Sequence, residues 1–523
     1  MDVLKKYDAW AIFGLALLIC TSFVGLYPIY ILDEARNSEA AREMLASGNY
    51  VVPYFNGQLR TDKPPLHYFF MILGYKLFGI NSLGARFFSG VFGALTILFT
   101  YWNVKKHLNP FIAGITVVIL LSSLFFVQEF HLAVPDPYLI FFVTLTLFSF
   151  YNFCTTSKVR WLFPFYGGIA LGMLTKGPIA LVLPALIVPF FLVFKKDFNV
   201  KSILRLRPFL GLLLLFLIAA PWYYLVHIQT DGKWTKAFFM DHNVSRFGSG
   251  KEGHGGLFII TPLYVILGML PFSVFAIQAF SNAWKVRKVN DFILFSFLVS
   301  AITIAFFSAA STKLPNYPMP CYPFVAVLIA FYLYQEHHRD KNSKTLTWSL
   351  IFLLLVGIIL PVAAFLALGI EEQLSEIKSI SLFLLLVTIA GVLGFLFYKR
   401  NKPKMAFWSM AGGWILMGLC LFGIIYPKMT EQSPVSLALD KIPEDSDIIV
   451  YKRFDSAFPI NFQRTFEVLD SVEEIKAYLK THPDAYILTN TRSEEDLRQL
   501  ENLHLILEQK ALFENHTTRV YTK

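Results

Sequence analysis

Charged residues at the ends of apolar runs are the first candidates for chemistry in this sequence. In "YILDEARNSEAAREM", Asp33 and Glu34 directly follow an apolar run, and Asp136 lies between two prolines in "VPDPY". A carboxylate at the edge of a membrane can accept the proton of an attacking hydroxyl group or orient a substrate. Each also has an ordinary interpretation, because Asp33 suits a helix N-cap and Asp136 suits a turn.

Basic residues beside proline and glycine form a second candidate group. The stretches "TDKPPLHYF", "LTKGP" and "STKLPNYPMP" place Lys63, Lys176 and Lys313 at breaks in the apolar sequence. Proline-broken helix ends leave backbone polar groups that a membrane tolerates only where they line a cavity. Such cations suit an anionic head group, a polyprenyl phosphate or a phospholipid phosphate, through charge-assisted hydrogen bonds. For a single lysine, anchoring at the membrane surface by snorkelling is the alternative.

One histidine suggests a candidate metal site. His242 together with Asp62, His67 or His254 offers side chains of the kinds that bind divalent metal ions. They come from separate segments with no fixed ligand spacing, so solvent-exposed loop histidines are the alternative. We therefore predict no certain cofactor and keep a divalent metal on Asp62 and His242 as a candidate.

Membrane-spanning helices are the elements that must position these residues. Hydrophobic residues make up 55% of the chain and charged residues 16%, which excludes an ordinary soluble globular domain. The cysteines, Cys20, Cys154, Cys321 and Cys420, lie in or beside apolar runs, so we expect no disulfide framework in the polar parts. The net charge of +10 comes from basic connections between apolar runs, and we therefore predict no nucleic-acid partner.

Apolar runs long enough to cross a bilayer recur along the chain and predict an α-helical polytopic membrane protein with about thirteen transmembrane helices. The predicted spans lie near 9–30, 83–104, 111–128, 138–154, 161–176, 177–194, 207–227, 256–280, 291–309, 315–334, 347–368, 379–398 and 405–426. The first run is too long for a signal peptide and lacks a small-residue cleavage site, so we predict a retained span.

The basic connections predict the orientation of these spans. "KK" at Lys5, "KKDFNVKSILRLR" at Lys195 and "YKRNKPK" at Tyr398 fall on one side together with the other basic connections. That side is the cytoplasm by the positive-inside rule, which makes the N-terminus cytoplasmic. The segment 31–82, with an interfacial helix, and the loop 228–255 then lie outside the cytoplasm, and membrane lipids surround the spans.

The tail 427–523 changes character and predicts a small extracytoplasmic α/β domain. "DIIVYK" and "AYILTN" are typical of strands, and "HLILEQKALF" with "TTRVYTK" of a closing strand pair. "SVEEIKAYLK" and "SEEDLRQL" each begin with Ser followed three residues later by an acid, as at a helix start. Because this tail contains no glycine-rich phosphate loop and no metal-ligand spacing, we place the chemistry in the transmembrane domain, 1–426.

A series of motifs resembles the integral-membrane glycosyltransferases that use a lipid-phosphosugar donor. In chain order these are "LDEAR", "DKPPLHYFF", "GARFFSG", "VPDPYL", "GMLTKGP", "DHNVSRF" and "STKLPNYPMPCYP". This group of GT-C fold contains the aminoarabinose transferase that modifies lipid A and the protein O-mannosyltransferases. The resemblance covers residues 1 to about 335, and the predicted layout with an external C-terminal domain is most similar to the aminoarabinose-transferase branch.

The resemblance implies roles for the charged residues. Asp33 is the expected catalytic carboxylate, supported by Glu34, and Asp136 is expected on the acceptor side. Binding of the donor phosphate is expected from Lys63, Arg246, Tyr317, Lys313 and Arg36. Where the family often has Glu before Lys-Pro-Pro, this chain has Asp62, whose shorter side chain departs from the pattern of a metal ligand.

The reaction implied is an inverting sugar transfer from a polyprenyl-phosphate donor to an envelope acceptor such as lipid A, outside a bacterial inner membrane. A hydroxyl acceptor would need Asp33 as base, whereas an ionised phosphate acceptor would only be oriented by it. Another glycan, or protein Ser/Thr as in O-mannosyl transfer, is an alternative acceptor. A lipid or solute transporter is the rival from another class, and it predicts mid-depth charges and internal repeats that the sequence lacks.

Overall fold

The computed structural model describes residues 9–244, 256–337, 343–512 and 514–523, and most of them are helical. The α-helices are α1 (Ala9–Thr21), α2 (Leu32–Ser47), α3 (Leu66–Phe78), α4 (Ser82–His107), α5 (Pro110–Ser122), α6 (Leu124–Glu129), α7 (Asp136–Thr156), α8 (Leu162–Lys176), α9 (Ile179–Phe194), α10 (Val200–Arg205), α11 (Pro208–Ile218), α12 (Ala220–Gln229), α13 (Lys233–Lys236), α14 (Ile260–Gly268), α15 (Ala276–Val286), α16 (Asp291–Ala309), α17 (Tyr322–His337), α18 (Lys344–Ile370), α19 (Leu385–Lys399), α20 (Pro403–Cys420), α21 (Tyr426–Thr430), α22 (Pro434–Lys441), α23 (Ala457–Phe462), α24 (Val472–Thr481) and α25 (Glu494–Arg498).

Within the described ranges, six helices are long and apolar enough to cross a membrane. They are Ser82–His107, Asp136–Thr156, Asp291–Ala309, Lys344–Ile370, Lys378–Lys399 and Pro403–Thr430. The pair α11 and α12 passes the same criterion together, with a bend of 41° at its junction. This architecture confirms the predicted helical, polytopic class, while the number of about thirteen spans stays a prediction.

Several predicted spans consist of shorter helices. The helices α1 and α5 have 13 residues each and α9 has 16. At 1.5 Å per residue they extend about 20–24 Å, less than a hydrocarbon core of about 30 Å. Between α8 and α9 the chain breaks at Gly177, which has a φ of 80°, and at Pro178. The break predicted in "TKGP" is thereby confirmed, and such a break needs a protein or cavity surface to satisfy its backbone.

The segment after α1 forms a helix, a hairpin and a second helix. The helix α2 confirms the one predicted in "LDEARNSEAAREM". It begins after Ile31, so Asp33 lies inside the first turn and is not the N-cap residue. The helix dipole stabilises a carboxylate at that position. The short antiparallel strands β1 (Tyr54–Phe55) and β2 (Gln58–Leu59) follow, and their hairpin leads into the loop before α3.

The tail forms a five-stranded sheet in the order β4-β3-β5-β7-β6. Its strands are β3 (Ile448–Tyr451), β4 (Glu467–Leu469), β5 (Tyr486–Thr489), β6 (His504–Lys510) and β7 (Thr517–Thr522). β3 is parallel to β4 and β5, and β7 is antiparallel to β5 and β6. Both predicted helix starts are confirmed: Ser471 and Glu474 form a capping box, and the Ser493 side chain accepts from the Asp496 backbone N–H. The small sheet domain predicted from the tail is present.

The sheet domain packs directly on the segment that carries α2. Apolar residues from both parts share one buried core, which includes Ile29, Ala40, Met71, Val435, Phe458 and Leu512. The Tyr30 hydroxyl donates to the Leu512 carbonyl at 2.9 Å, and the Asn461 amide donates to the Ile29 carbonyl at 2.7 Å. These contacts fix the domain beside Asp33.

Candidate active site

A cavity of about 520 Å³ lies where the ends of α7, α8 and α16 meet the loop after β2. Its polar lining residues are Asp62, Lys63, Asp136, Lys176, His242 and Tyr317. Its apolar lining residues include Leu139, Ile179, Val182, Phe238, Phe239, Phe306 and Phe307. A cavity with both charged groups and apolar walls suits an amphiphile that carries an anionic head group.

Asp136 and Lys176 form a largely buried ion pair in this cavity. Asp136 is the first residue of α7 and Lys176 the last of α8, and their Oδ1 and Nζ atoms are 2.5 Å apart. Both helix dipoles favour this placement, with the anion at an N-terminus and the cation at a C-terminus. The Lys176 ammonium also lies 5.1 Å from the ring centre of Tyr317, within cation–π range. The structure thus brings the predicted Asp136 and Tyr317 together through Lys176.

Asp62 and His242 contact each other on the same cavity. The Asp62 Oδ1 and His242 Nε2 atoms are 2.9 Å apart. Arg60 connects this pair to α2, because its Nη1 lies 3.1 Å from Asp62 Oδ2 and its Nη2 lies 3.5 Å from Asp33 Oδ1. The Arg60 side chain is only 5% exposed, and it joins Asp33 to the lining of the cavity.

The surrounding cations control the ionisation of Asp33. Desolvation favours its neutral form, but the positive charges of Lys63, Arg60 and Lys176 outweigh that effect and lower the pKa of Asp33. The pKa of Asp62 is lowered too, because its hydrogen bond with histidine and the charge of Arg60 overcome desolvation. Both carboxylates are therefore ionised at neutral pH, which is the state that a proton acceptor needs.

Glu34 and Arg36 point away from this cavity, although they neighbour Asp33 in sequence. Glu34 is fully buried and accepts two hydrogen bonds from Arg86, at 2.7 Å and 2.9 Å. Successive side chains of a helix point about 100° apart, so Glu34 faces away from the direction of Asp33. The side chain of Glu34 therefore has no contact with the cavity through which its predicted supporting role in catalysis could act. Arg36 donates from Nε to the Ser456 hydroxyl of the sheet domain at 3.1 Å. It does not line the cavity of Lys63 and Lys176, so its predicted role in binding the donor phosphate has no contact in that cavity.

Of the two remaining predicted cations, Lys313 stands apart from the cavity lining. Lys313 is buried, and its Nζ donates to the Ala310 carbonyl at 2.7 Å, just after the C-terminus of α16. The helix dipole favours a cation at that end. Arg246 lies outside the described residues, as does His254, and the role predicted for Arg246 stays a prediction.

Two functional candidates have no assigned role in the sequence prediction. Arg60 is a basic residue between α2 and α3, and its bridge between Asp33 and Asp62 depends on the hairpin that positions it. Glu129, at the end of α6, is buried, and desolvation together with the charge of Asp136 raises its pKa. Only the interruption of an apolar run by a single acid could have drawn attention to Glu129.

A metal centre is only partly formed by the candidate residues. Asp62 and His242 are suitable ligands, but structural and catalytic zinc sites use three or four protein ligands. Across the described ranges, no group of three or more His, Cys, Asp or Glu side chains is placed to hold a metal ion. Arg60 already neutralises Asp62, and His67 is buried against the ring of Tyr68 at 3.9 Å between centres. These residues do not fit a complete metal site, and no step is assigned to a metal.

The fold and the site together define a class: a helical membrane protein with a cavity that combines charged side chains with apolar walls. Comparisons with known proteins agree with this assignment to a class. Residues 62–225 match the family described as dolichyl-phosphate-mannose-protein mannosyltransferase. The undecaprenyl phosphate-alpha-4-amino-4-deoxy-L-arabinose arabinosyl transferase of Aeromonas salmonicida is 28% identical over 453 residues, which are 84% of this chain and 79% of that protein. The protein of the same name from Edwardsiella ictaluri is 30% identical over 365 residues, 68% of this chain and 64% of that protein.

The fold is shared with a solved structure. ArnT from Cupriavidus metallidurans, in its crystal structure bound to undecaprenyl phosphate, matches with a TM-score of 0.78 over 98% of this chain and 97% of that chain, at 19% identity. The chain belongs to the superfamily of membrane glycosyltransferases of GT-C fold that depend on lipid-phosphosugar donors, which includes the aminoarabinose transferases and the protein O-mannosyltransferases.

Proposed function

We propose that this protein transfers a sugar from a polyprenyl-phosphate donor to an acceptor of the cell envelope, in the first place lipid A, with inversion at the anomeric carbon. The cavity that combines Lys63 and Lys176 with apolar walls supports this most directly. The cations match the phosphate of the donor, and the apolar walls match the start of its hydrocarbon tail. The relatives named as undecaprenyl phosphate-aminoarabinose transferases favour the same donor chemistry.

In the proposed reaction the donor phosphate binds at Lys63. The acceptor oxygen attacks the anomeric carbon from the face opposite the phosphate, and the bond between that carbon and the phosphate oxygen breaks as the new bond forms. The phosphate leaves as an anion that the cavity cations stabilise. When the acceptor is a hydroxyl group, its proton passes to the ionised carboxylate of Asp33. An acceptor phosphate brings no proton, and Asp33 then only orients it.

An ion pair of the cavity lining and the neighbouring Arg60 would position the reacting groups. The ion pair of Asp136 and Lys176 fixes the ends of α7 and α8 on one side of the cavity. Arg60 holds Asp33 at 3.5 Å and Asp62 at 3.1 Å, and so sets the distance between the proposed base and the cavity. We place this site on the extracytoplasmic side, with the N-terminus in the cytoplasm, as the basic connections indicate.

A protein acceptor is the second candidate. The match of residues 62–225 to the dolichyl-phosphate-mannose-protein mannosyltransferases favours it, because members of that family transfer to protein by name. Attack by a Ser or Thr hydroxyl would require Asp33 as base in the same geometry.

Mass spectrometry of the host with and without this chain tests the proposal. Lipid A and envelope glycoproteins are compared between a deletion strain, the strain complemented with the unmodified chain, and the strain complemented with Asp33→Asn. Loss of a sugar mass from lipid A in the deletion strain, restored only by the unmodified chain, is the expected result. Loss from proteins would establish the second candidate. Unchanged masses in all fractions, or full restoration by Asp33→Asn, would overturn the proposed reaction.

A further inference from the structure

A second cavity, of about 490 Å³, lies between the β1–β2 hairpin, α2 and the sheet domain. Its basic lining residues are Arg36, Lys452, Arg453, Arg492 and His516. None of the described residues that line it is Asp or Glu. The cavity therefore carries an excess of positive charge and attracts anions.

Two of these cations are left for a ligand. Lys452 pairs with Asp496 at 2.7 Å, and His516 lies 3.3 Å from Asp455. The side chains of Arg453 and Arg492 are exposed and make no hydrogen bond or ion pair within the described part of the chain. A guanidinium group binds a phosphate or a carboxylate through two parallel hydrogen bonds. Arg453 and Arg492 thus form an anion-binding edge of this cavity.

The remaining lining suits a sugar. The rings of Phe55 and Phe454 are stacked, with centres 6.2 Å apart and planes at 15°. The side-chain amides of Gln58 and Asn490 line the cavity and, among the described residues, bond to no other group. Amides can both donate to and accept from hydroxyl groups, and aromatic side chains offer apolar contact area. Unpaired guanidinium groups, amides and aromatic rings together match an anionic saccharide.

The cavity is preformed, and α2 connects it to the proposed chemistry. The Asn56 side chain and the Phe466 backbone exchange two hydrogen bonds, at 3.0 Å and 2.7 Å, which fix the hairpin to the sheet domain. Arg36 lines the cavity from α2, three residues after Asp33, which is about 4.5 Å along a helix. A ligand in this cavity can therefore extend to the Asp33 carboxylate.

We propose that this cavity binds the anionic saccharide head of the acceptor through Arg453 and Arg492, so that the acceptor oxygen is presented to Asp33. This inference rests on the proposed function, since it assigns the acceptor of that reaction a binding site. The sheet domain then selects the acceptor, and the helical domain holds the donor. The anion is a phosphate or a carboxylate, both of which a guanidinium group recognises.

Titration of the full-length protein in nanodiscs of zwitterionic lipid tests this assignment. N-acetylglucosamine 1-phosphate, glucuronic acid and uncharged N-acetylglucosamine are the probes, and binding is followed by calorimetry or ligand-observed NMR. The double variant Arg453→Gln/Arg492→Gln should bind the anionic probe at least about tenfold more weakly, because it loses the charge-assisted hydrogen bonds of both guanidinium groups. Arg498→Gln is the matched control, because Arg498 is 74% exposed on the same domain outside the cavity.

The three probes give distinct outcomes. Preference for the phosphate or for the carboxylate probe supports the site and names the anion. Equal binding of uncharged N-acetylglucosamine, failure of the unmodified chain to bind either anionic probe, or an unchanged affinity in the double variant would overturn the assignment.

Donor cleavage, measured separately as release of undecaprenyl phosphate from a sugar-charged donor, separates this inference from the proposed function. A chain that binds the anionic sugar through Arg453 and Arg492 but cleaves no donor would retain the site and reject the transferase mechanism. If the double variant cleaves donor and glycosylates acceptor as well as the unmodified chain does, the transferase mechanism is retained and the acceptor site is rejected.

Discussion

Lys63 is the residue on which the proposed donor binding depends most directly. It lines the cavity, and among the charges that lower the Asp33 pKa its contribution is the largest. Lys63→Ala should weaken binding of undecaprenyl phosphate by about ten- to a hundredfold, because charge-assisted hydrogen bonds contribute about 1.5–3 kcal/mol. Titration in nanodiscs measures this loss. Lys63→Arg should recover part of the affinity, and the exposed Lys404→Ala should change nothing; equal binding by Lys63→Ala contradicts the assignment.

Asp33 should matter for turnover and not for donor affinity. Asp33→Asn removes the proton acceptor and should reduce transfer to a hydroxyl acceptor by about 10²- to 10⁴-fold. Because neighbouring cations lower its pKa, the unmodified enzyme should keep its rate as pH falls until the carboxylate protonates below its usual range. In Lys63→Ala that pKa rises, so the acid limb of the rate profile should move to higher pH.

Rate–pH profiles of the unmodified enzyme, Asp33→Asn and Lys63→Ala check the loss of turnover and the shift of the acid limb. Donor affinity is measured in parallel. Asp484→Asn, an exposed carboxylate of the sheet domain, is the control for the loss of a negative charge. A large loss of donor affinity in Asp33→Asn would instead make Asp33 a binding residue.

At the scale of elements, the buried pair of Glu34 and Arg86 fastens α2 to α4. Both side chains are at most 1% exposed, and they share two hydrogen bonds. Removing one partner leaves a buried unpaired charge, which costs about 3–5 kcal/mol. Glu34→Leu and Arg86→Met should each lower the thermal midpoint more than the double variant does, relative to the unmodified chain.

Activity per folded molecule separates this structural role from a catalytic one. Glu34→Gln should destabilise the chain yet retain most of the transfer rate of the molecules that remain folded. A fall in rate as large as that of Asp33→Asn, with an unchanged thermal midpoint, would restore the catalytic role predicted for Glu34.

The turn between β6 and β7 should make the sheet domain sensitive to alkali. Burial would lower the pKa of His516, but hydrogen bonds and the charges of Asp455 and Glu514 raise it to about 9. Its contribution is therefore complete below the ordinary value of 6.5 and is lost as pH rises towards 9. Allowing for solvent screening, about 1–2 kcal/mol should disappear across that window. Relative to the intrinsic exchange rate at each pH, the protection of the β6 and β7 amides should fall accordingly, and in His516→Gln this fall should be absent.

At the scale of the whole molecule, local patterns predicted the elements and missed the contacts between them. Hydropathy located most helices, and the Ser-to-acid spacing located α24 and α25, because both signals depend on neighbours in sequence. The three-residue strand β4 is too short to show a period. Arg60 bridges Asp33 and Asp62, whereas Arg36 turns to the sheet domain. Those distinctions depend on how the hairpin and the sheet domain dock, which no spacing along the chain encodes.

Docking of the sheet domain should therefore be required for transfer even though the donor cavity lies in the helical part. The Asn461 amide bonds to the Ile29 carbonyl at 2.7 Å, and the Gln463 amide bonds to the Ile80 carbonyl at 2.9 Å. Each bond contributes about 1 kcal/mol, so Asn461→Ala/Gln463→Ala should raise the undocked population by about thirtyfold. Faster hydrogen exchange in α2 would report that change.

The double variant should lose acceptor glycosylation while it keeps most of its affinity for undecaprenyl phosphate, because the described residues that line the cavity of Lys63 and Lys176 all belong to the helical domain. The exposed Gln499→Ala controls for loss of an amide on the same domain. Full glycosylation by a variant whose α2 exchanges faster would mean that the donor site and Asp33 act without the docked domain. Acceptor binding would then have to lie within the helical bundle.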